Sequence, residues 1–202
     1  DLAALAQFLG RLGTALQRVL VPGAHVFIAA NPLLSTLAFH ALQQAGLEKR
    51  GEVVRLVQTL RGGDRPKGAE AEFAGVSVMA RSGWEPWGIF RKPLQGTVAA
   101  NLKRWGTGGL RRVSDAAPFK DVIVSAPTGR VERAIAPHPS LKPQAFLRRL
   151  VRASLPLGAG VVYDPFAGSG STLAAAQAVG YHAIGTERDA RYHRLGCRAF
   201  AK

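Results

Sequence analysis

The chain has 202 residues, 47% of them hydrophobic and 20% charged, enough to bury the core of one domain or of one domain with a large insertion. It carries 27 Lys and Arg against 13 Asp and Glu, a formal net charge of +14, which points to a polyanionic partner, either nucleic acid or an anionic membrane surface. A single cysteine, Cys197, excludes an internal disulfide framework and any multi-cysteine metal site, and no apolar run approaches the roughly 18 residues of a membrane span. The apolar opening stretch from Leu2 to Leu9 lacks a basic n-region and a cleavage site, so it does not read as a signal peptide, and a reduced, cytoplasmic setting is expected.

In chain order, Leu2, Leu5, Phe8, Leu9, Leu12, Leu16, Val19 and Leu20 recur at helical spacing and predict an amphipathic helix. Pro22-Gly23 ends it with a turn, and the apolar run from His25 to Ala30 reads as a buried parallel strand. Leu33 to Ala45 is expected to be helical, with Gly46 at its C-terminal cap, and Glu52 to Leu60 to form a strand. This alternation is the rhythm of an α/β sheet. Residues 61–82 read as a polar excursion with a short strand at Val76–Met79, followed by a strand over Trp87–Lys92. Residues 94–137, rich in Gly, Pro and Arg, hold no long periodic element. Helical periodicity returns from Pro143 to Leu155. A final unit runs strand (Val161–Asp164), Gly-rich loop, helix (Thr172–Val179) and strand (Tyr181–Glu187).

The charge is concentrated. Residues 91–152 hold 13 Lys and Arg and three acids, a net of +10, which leaves +4 for the other 140 residues. Within this segment, Asn101-Leu-Lys-Arg-Trp-Gly-Thr-Gly-Gly-Leu-Arg-Arg112 combines four cations, one Trp and three glycines. Cations serve phosphates, Arg reads guanine, and an aromatic ring stacks on bases. Lys103, Arg104, Trp105, Arg111 and Arg112 are therefore the candidate nucleic-acid contacts. Arg148, Arg149 and Arg152 fit a solvated face and a phosphate-tracking one equally well. Trp84 and Trp87 read as packing around a strand end, and His25 and His40 as packing or surface residues. His182 and His193 have no metal-like partner set.

The clearest chemistry lies in Asp164-Pro-Phe-Ala-Gly-Ser-Gly-Ser-Thr172, which follows a hydrophobic strand and opens a helix. Its glycines let the backbone turn sharply and approach a ligand. The helix N-terminus offers unpaired N–H groups, and ligands bind at the carboxyl ends of strands in open α/β sheets. Glu187 ends the next strand, at the spacing where an acid accepts hydrogen bonds from ribose hydroxyls. The pair reads as a site for a ribose-containing cofactor. The loop has neither the GxxxxGK of a P-loop nor the dinucleotide GxGxxG.

Asp164-Pro-Phe-Ala-Gly-Ser-Gly170 resembles motif I of the S-adenosylmethionine-dependent DNA methyltransferases that modify adenine N6 or cytosine N4. Upstream, His138-Pro-Ser-Leu-Lys-Pro143 resembles their motif X, commonly HPTxKP, at the matching distance. Leu20-Val-Pro-Gly-Ala-His-Val-Phe-Ile28 is similar to the helix, turn and strand that follow the catalytic motif, and Trp84-Glu-Pro-Trp-Gly-Ile-Phe-Arg-Lys92 to the last strand before target recognition. The resemblance implies a Rossmann-like methyltransferase fold in the permuted β-class order. A substrate-side half would span residues 1–93, an irregular basic target-recognition insert 94–137, and a cofactor-binding half 138–202. It implies S-adenosylmethionine as cofactor and DNA as partner, with no membrane and no metal, in a restriction–modification setting. Oligomeric state stays open, a homodimer included. Asp164, Phe166, Gly168, Ser169 and Gly170 would line the methionine end of the cofactor, Glu187 would hold its ribose, and Ser140 and Lys142 would bind its carboxylate end with His138 nearby. Ser140 in place of the usual Thr keeps the hydroxyl.

One departure matters. The family grips the target amine with a tetrapeptide of Asp, Asn or Ser, then Pro-Pro, then an aromatic residue, whose ring stacks on the flipped base. No such string occurs here. The nearest, Asn31-Pro32-Leu33-Leu34, reads instead as a strand-to-helix turn. The expectation is that the catalytic residues lie N-terminal to Asp1 and that these 202 residues do not transfer methyl groups alone. Two further readings are a non-catalytic DNA-binding remnant of the same fold and a methyltransferase acting on RNA.

Overall fold

The structure is a computed structural model that describes residues 1–57 and 62–200. The N-terminal helix, α1 (Leu2–Val19), is capped by the Asp1 carboxylate, which accepts from the amides of Ala3 and Ala4. Its buried stripe of Leu9, Gly13 and Leu16 faces α2 (Ser35–Gln44). A Cβ on Gly13 would lie 2.5 Å from the Ala45 methyl, so the glycine permits the close approach of the two helices.

A four-stranded mixed sheet stands beneath them in the order β1 (His25–Ala29), β3 (Trp84–Arg91), β2 (Glu48–Leu56), β4 (Val122–Val124). Strand β3 is antiparallel to both neighbours, with Ile89 opposite Phe27 on one side and Gly51 on the other. It is buried on both faces. Trp87 and Ile89 point into one cluster, with Val53, Ile123 and residues of the helix α5 (Gln144–Ser154). Phe90 points into a second cluster with Leu9, Leu16, Phe39 and Leu42. Strand β4 adds in parallel to β2 at the edge.

The C-terminal unit forms a second, two-stranded sheet that shares the first sheet's core. Strands β5 (Val161–Asp164) and β6 (His182–Gly185) pair in parallel through α6 (Ser171–Ala178). Val162 and Ala183 pack against the first cluster, which also contains Ala175 and Ala176 of α6. One hydrophobic layer, built around α5, therefore joins the two sheets.

Several expectations change. The strand from His25 is half-buried and antiparallel, not a buried parallel one. An apolar run looks the same in either sense when both faces are covered. The strand expected over 52–60 begins earlier, at Glu48, and runs to Leu56; residues 58–60 lie outside the described residues. Val76–Met79 is irregular with a bend at Val78 and Met79, not a strand. The segment 94–137 is not devoid of periodic structure. It contains α3 (Val98–Trp105), β4 and α4 (Arg130–Ile135). Thr97 caps α3 by accepting from the Ala100 amide, and Gly106, at φ 69°, ends it in the left-handed conformation. A last helix, α7 (Ala190–Phe200), follows β6.

Candidate functional site

The loop between β5 and α6 is built from local chemistry. Asp164 Oδ1 accepts from the Phe166 amide at 2.9 Å, closing an Asx turn. Gly168 and Gly170 lie at φ 56° and 85°, a region where side chains are strained. A Cβ on Gly168 would also stand 3.1 Å from His138 Nε2. Gly170 is the N-cap of α6 and lends no side chain to it, so the helix presents bare backbone N–H groups to this loop. Ser169 is 4% exposed and its Oγ has no hydrogen-bond partner. Phe166 is 56% exposed, with its ring 6.0 Å from that of Phe8 on α1.

Glu187 reaches back into the same loop. Its Oε2 accepts from the Gly168 amide at 2.8 Å and its Oε1 from the Asp189 amide at 2.7 Å. Each oxygen keeps a second lone pair for another donor. The Asp189 amide bond is the largest influence and lowers the Glu187 pKa; burial, next in size, raises it, and the Gly168 bond and the charge of His138 help hold the carboxyl below the usual carboxylate range. The carboxylate is therefore ionised at neutral pH, as a hydroxyl acceptor requires.

The segment 138–144 lies along this loop and is tied to it at both ends. His138 packs on Gly168 and edge-on against Tyr192 of α7, centroids 4.3 Å apart. Gln144 Nε2 donates to the Ser171 carbonyl at 2.9 Å. Ser140 is exposed, and its amide donates to His138 Nδ1 at 3.1 Å. Lys142 sits between the two anchors and ion-pairs with Glu85 of β3. Phe200 covers Gly170 from the far side, where a Cβ would meet its ring at 2.6 Å. His138 and Glu187 thus meet the Asp164–Gly170 loop, Ser140 reaches it only through His138, and the Lys142 ammonium turns to Glu85 on β3. The donor set fits an adenosyl–amino acid ligand: an ionised acid for hydroxyls, free helix amides and an orphaned buried hydroxyl, with an ammonium four residues beyond His138.

The five candidate nucleic-acid residues separate into two groups. Lys103, Arg104 and Arg112 are exposed. Trp105 donates from Nε1 to Gln95 Oε1 at 3.0 Å, and the Arg104 guanidinium lies 5.1 Å from its ring centroid. Arg111 is committed to the interior, donating to the Tyr181 hydroxyl at 2.8 Å. Asn31 behaves as a turn residue. Its Oδ1 accepts from Leu33 N at 3.0 Å and its carbonyl from Leu34 N at 2.8 Å. Trp87 packs edge-on against Phe146 at 5.2 Å. Cys197 is exposed. Among the described residues, no three His, Cys, Asp or Glu side chains are grouped to hold a metal ion, and no helix is long and apolar enough to cross a membrane.

Sequence reasoning missed Glu85, Arg55, Asn101 and Tyr181. Each is polar, sits at or next to a strand or helix, and finds at least one partner far along the chain. The only local signal was an acid inside the apolar string Trp84–Arg91.

A glycine-rich loop at the carboxyl end of β5, with an acid two residues beyond the end of β6, stands where Rossmann-like folds bind nucleoside ligands. The family model of the N6/N4 DNA methylases matches residues 93–198, and the chain belongs to that family. It is 33% identical over 86 residues to the type II methyltransferase M2.DpnII of Streptococcus pneumoniae, covering 43% of this chain and 32% of that one. It is 46% identical over 61 residues to the DNA adenine methyltransferase YhdJ of Escherichia coli K12, covering 30% and 20%. The matches therefore span about a third or less of these curated relatives' lengths. The crystal structure of the M1.HpyAVI–SAM complex superposes with a TM-score of 0.69 at 14% identity, over 96% of this chain and 82% of that one. That likeness establishes the Rossmann-like methyltransferase fold.

Proposed function

We propose that this chain is the cofactor- and DNA-binding body of an S-adenosylmethionine-dependent methyltransferase acting on an exocyclic amino group of DNA, adenine N6 or cytosine N4. The observation that carries this reading is the return of Glu187 to the Gly168 amide. It fixes an ionised acceptor against a glycine loop that opens a helix. The cofactor, when bound, supplies a sulfonium methyl for in-line attack, chemistry that needs alignment more than proton transfer. The chain's residues do the holding. Glu187 accepts from the ribose hydroxyls. Asp164, Phe166, Gly168, Ser169 and Gly170 line the methionine end. Ser140 and Lys142 hold the carboxylate, beside His138.

In this reading residues 1–93 form the substrate side, 94–137 the target-recognition insert and 138–202 the cofactor half, and the protein works in the cytoplasm where its DNA is. Family membership over 93–198 supports the last two of these segments. Lys103, Arg104 and Arg112 contact phosphates, whereas Arg111 braces the insert. The 202 residues hold no Pro-Pro-aromatic tetrapeptide, so binding is expected without turnover; methyl transfer by these residues alone would overturn that part.

The experiment is a salt series of duplex binding in the presence of S-adenosylhomocysteine. DNA is expected to outcompete RNA. Replacing Lys103, Arg104 and Arg112 together with Ala is expected to reduce the slope of log K against log salt by about 3. Preference for RNA would replace the DNA reading with the RNA one, and an unchanged slope would move the phosphate contacts elsewhere.

A further inference from the structure

Glu85 is the one carboxylate at the centre of a cationic, half-buried cluster that none of the roles above uses. Its side chain is 18% exposed and stands between two cations. Oε2 accepts from Arg55 at 3.1 Å and from Trp87 Nε1 at 3.0 Å. Oε1 accepts from Lys142. Arg55 is itself fully engaged. It donates to Ser125 Oγ at 3.0 Å and the Ala126 carbonyl at 3.2 Å, and its guanidinium lies 5.0 Å from the Phe146 ring centroid. Arg55 is 5% exposed as a residue, whereas the Lys142 side chain is 25% exposed. The cluster carries two positive charges and one negative. The surplus charge therefore resides on its more accessible cation, Lys142. That ammonium has three donors, and Glu85 takes one.

The anchors on either side fix where this surplus is displayed. His138 packs on Gly168, and Gln144 bonds to the Ser171 carbonyl at the start of α6. The chain on both sides of Lys142 is thereby tied to the glycine loop and to the start of α6, but four rotatable bonds still separate the Lys142 backbone from its ammonium. Glu85, on β3, supplies the remaining restraint.

We propose that Glu85 is a positioning residue: by pairing with Lys142 it holds the ammonium in register with the carboxylate end of the cofactor. The proposal rests on the reading of Lys142 as the carboxylate contact. An untethered Lys loses side-chain freedom each time it binds, which weakens affinity by about 2- to 10-fold. Its ammonium also swings to water, forfeiting an attraction at contact distance. Removing Glu85 lifts a repulsion on the ligand carboxylate as well, but over a longer separation, so the loss prevails.

The test compares two ligands by calorimetry. S-Adenosylhomocysteine carries the amino acid end; 5′-methylthioadenosine keeps the nucleoside and sulfur and lacks it. Glu85→Gln, which is nearly isosteric, is expected to weaken S-adenosylhomocysteine about fivefold and to leave methylthioadenosine unchanged. Lys142→Met is expected to weaken S-adenosylhomocysteine in the wild-type background but to add little on top of Glu85→Gln, since paired residues are non-additive. Equal losses for both ligands, unchanged or tighter S-adenosylhomocysteine binding, or additive losses would overturn the positioning role. If Glu85→Gln fails to fold, Glu85→Asp, which shortens the tether and keeps the charge, gives the same comparison. A wild-type protein that binds neither ligand would instead remove the cofactor site itself.

Discussion

His25 begins β1 directly opposite Arg91 on β3. Burial, then the charges of Arg91 and Arg50, lower its pKa from 6.5 to about 4. Its Nδ1 is buried without a hydrogen-bond partner, so the neutral ring is accommodated and the cation is not. The folded state binds the proton less readily than the unfolded chain. The stabilisation is thus complete above pH 6.5 and is lost as pH falls from 6.5 through about 4. A depression of this size corresponds to roughly 3 kcal/mol at the acid end. Denaturant titrations at pH 7.5 and 5 are expected to show falling stability for the wild type and a much smaller fall for His25→Leu. Equal falls would place the acid sensitivity elsewhere. Glu85 contributes from the acid end of this window downward, its stabilisation being present above pH 4.5 and lost below it. Burial raises its pKa, but the bond and charge of Lys142, with the bonds of Trp87 and Arg55, outweigh it and hold the carboxyl below the ordinary 4.5.

At the scale of elements, the basic insert is organised by a buried amide. Asn101 on α3 is 0% exposed. Its Nδ2 donates to the carbonyls of Pro22 at 3.0 Å and Thr107 at 2.8 Å, and its Oδ1 accepts from Gln95 N at 3.0 Å. Arg91 adds a bond to the Gly108 carbonyl at 3.1 Å while pairing with Glu48. The glycines of 106–109 are therefore pinned to the turn that follows α1. Asn101→Ala strands buried backbone groups, each costing about 1–3 kcal/mol, and is expected to lower stability by roughly 3 kcal/mol with an unchanged denaturant slope. A loss under 0.5 kcal/mol, within the ordinary range of surface changes, would show that the insert is held by other contacts.

The same element shows what a sequence makes legible. The loop from Asp164 to Gly170 could be read because its geometry is local: an Asx turn, two left-handed glycines and a helix start all lie within seven residues. Lys142 was read as a cofactor contact from its motif, yet its ion pair with Glu85 spans 57 positions. Arg111 was grouped with Arg112 as a nucleic-acid contact, and its bond to Tyr181 spans 70. Periodicity reports which face of an element is apolar but not what the face meets. Helix α3 escaped notice because eight residues show barely two turns of a pattern. Strand β1 was assigned the wrong sense because pairing direction leaves no mark on a short apolar run.

On the scale of the whole molecule, two sheets share a core centred on α5, and the loop that precedes α5 crosses the glycine turn that precedes α6. The proposed cofactor site lies at the carboxyl ends of β5 and β6, with His138 packed against it. The net +10 of residues 91–152 falls on the stretch that runs from the end of β3 through the insert to α5. The central claim is that Glu187 and the Gly168 turn form a nucleoside-cofactor site. Calorimetry with S-adenosylhomocysteine on the wild type and on Glu187→Ala tests it most directly. Loss of charge-assisted hydrogen bonds worth about 1.5–3 kcal/mol predicts binding by the wild type and an affinity at least about tenfold weaker in the variant. Unchanged affinity in Glu187→Ala, or no binding by the wild type, would contradict the account.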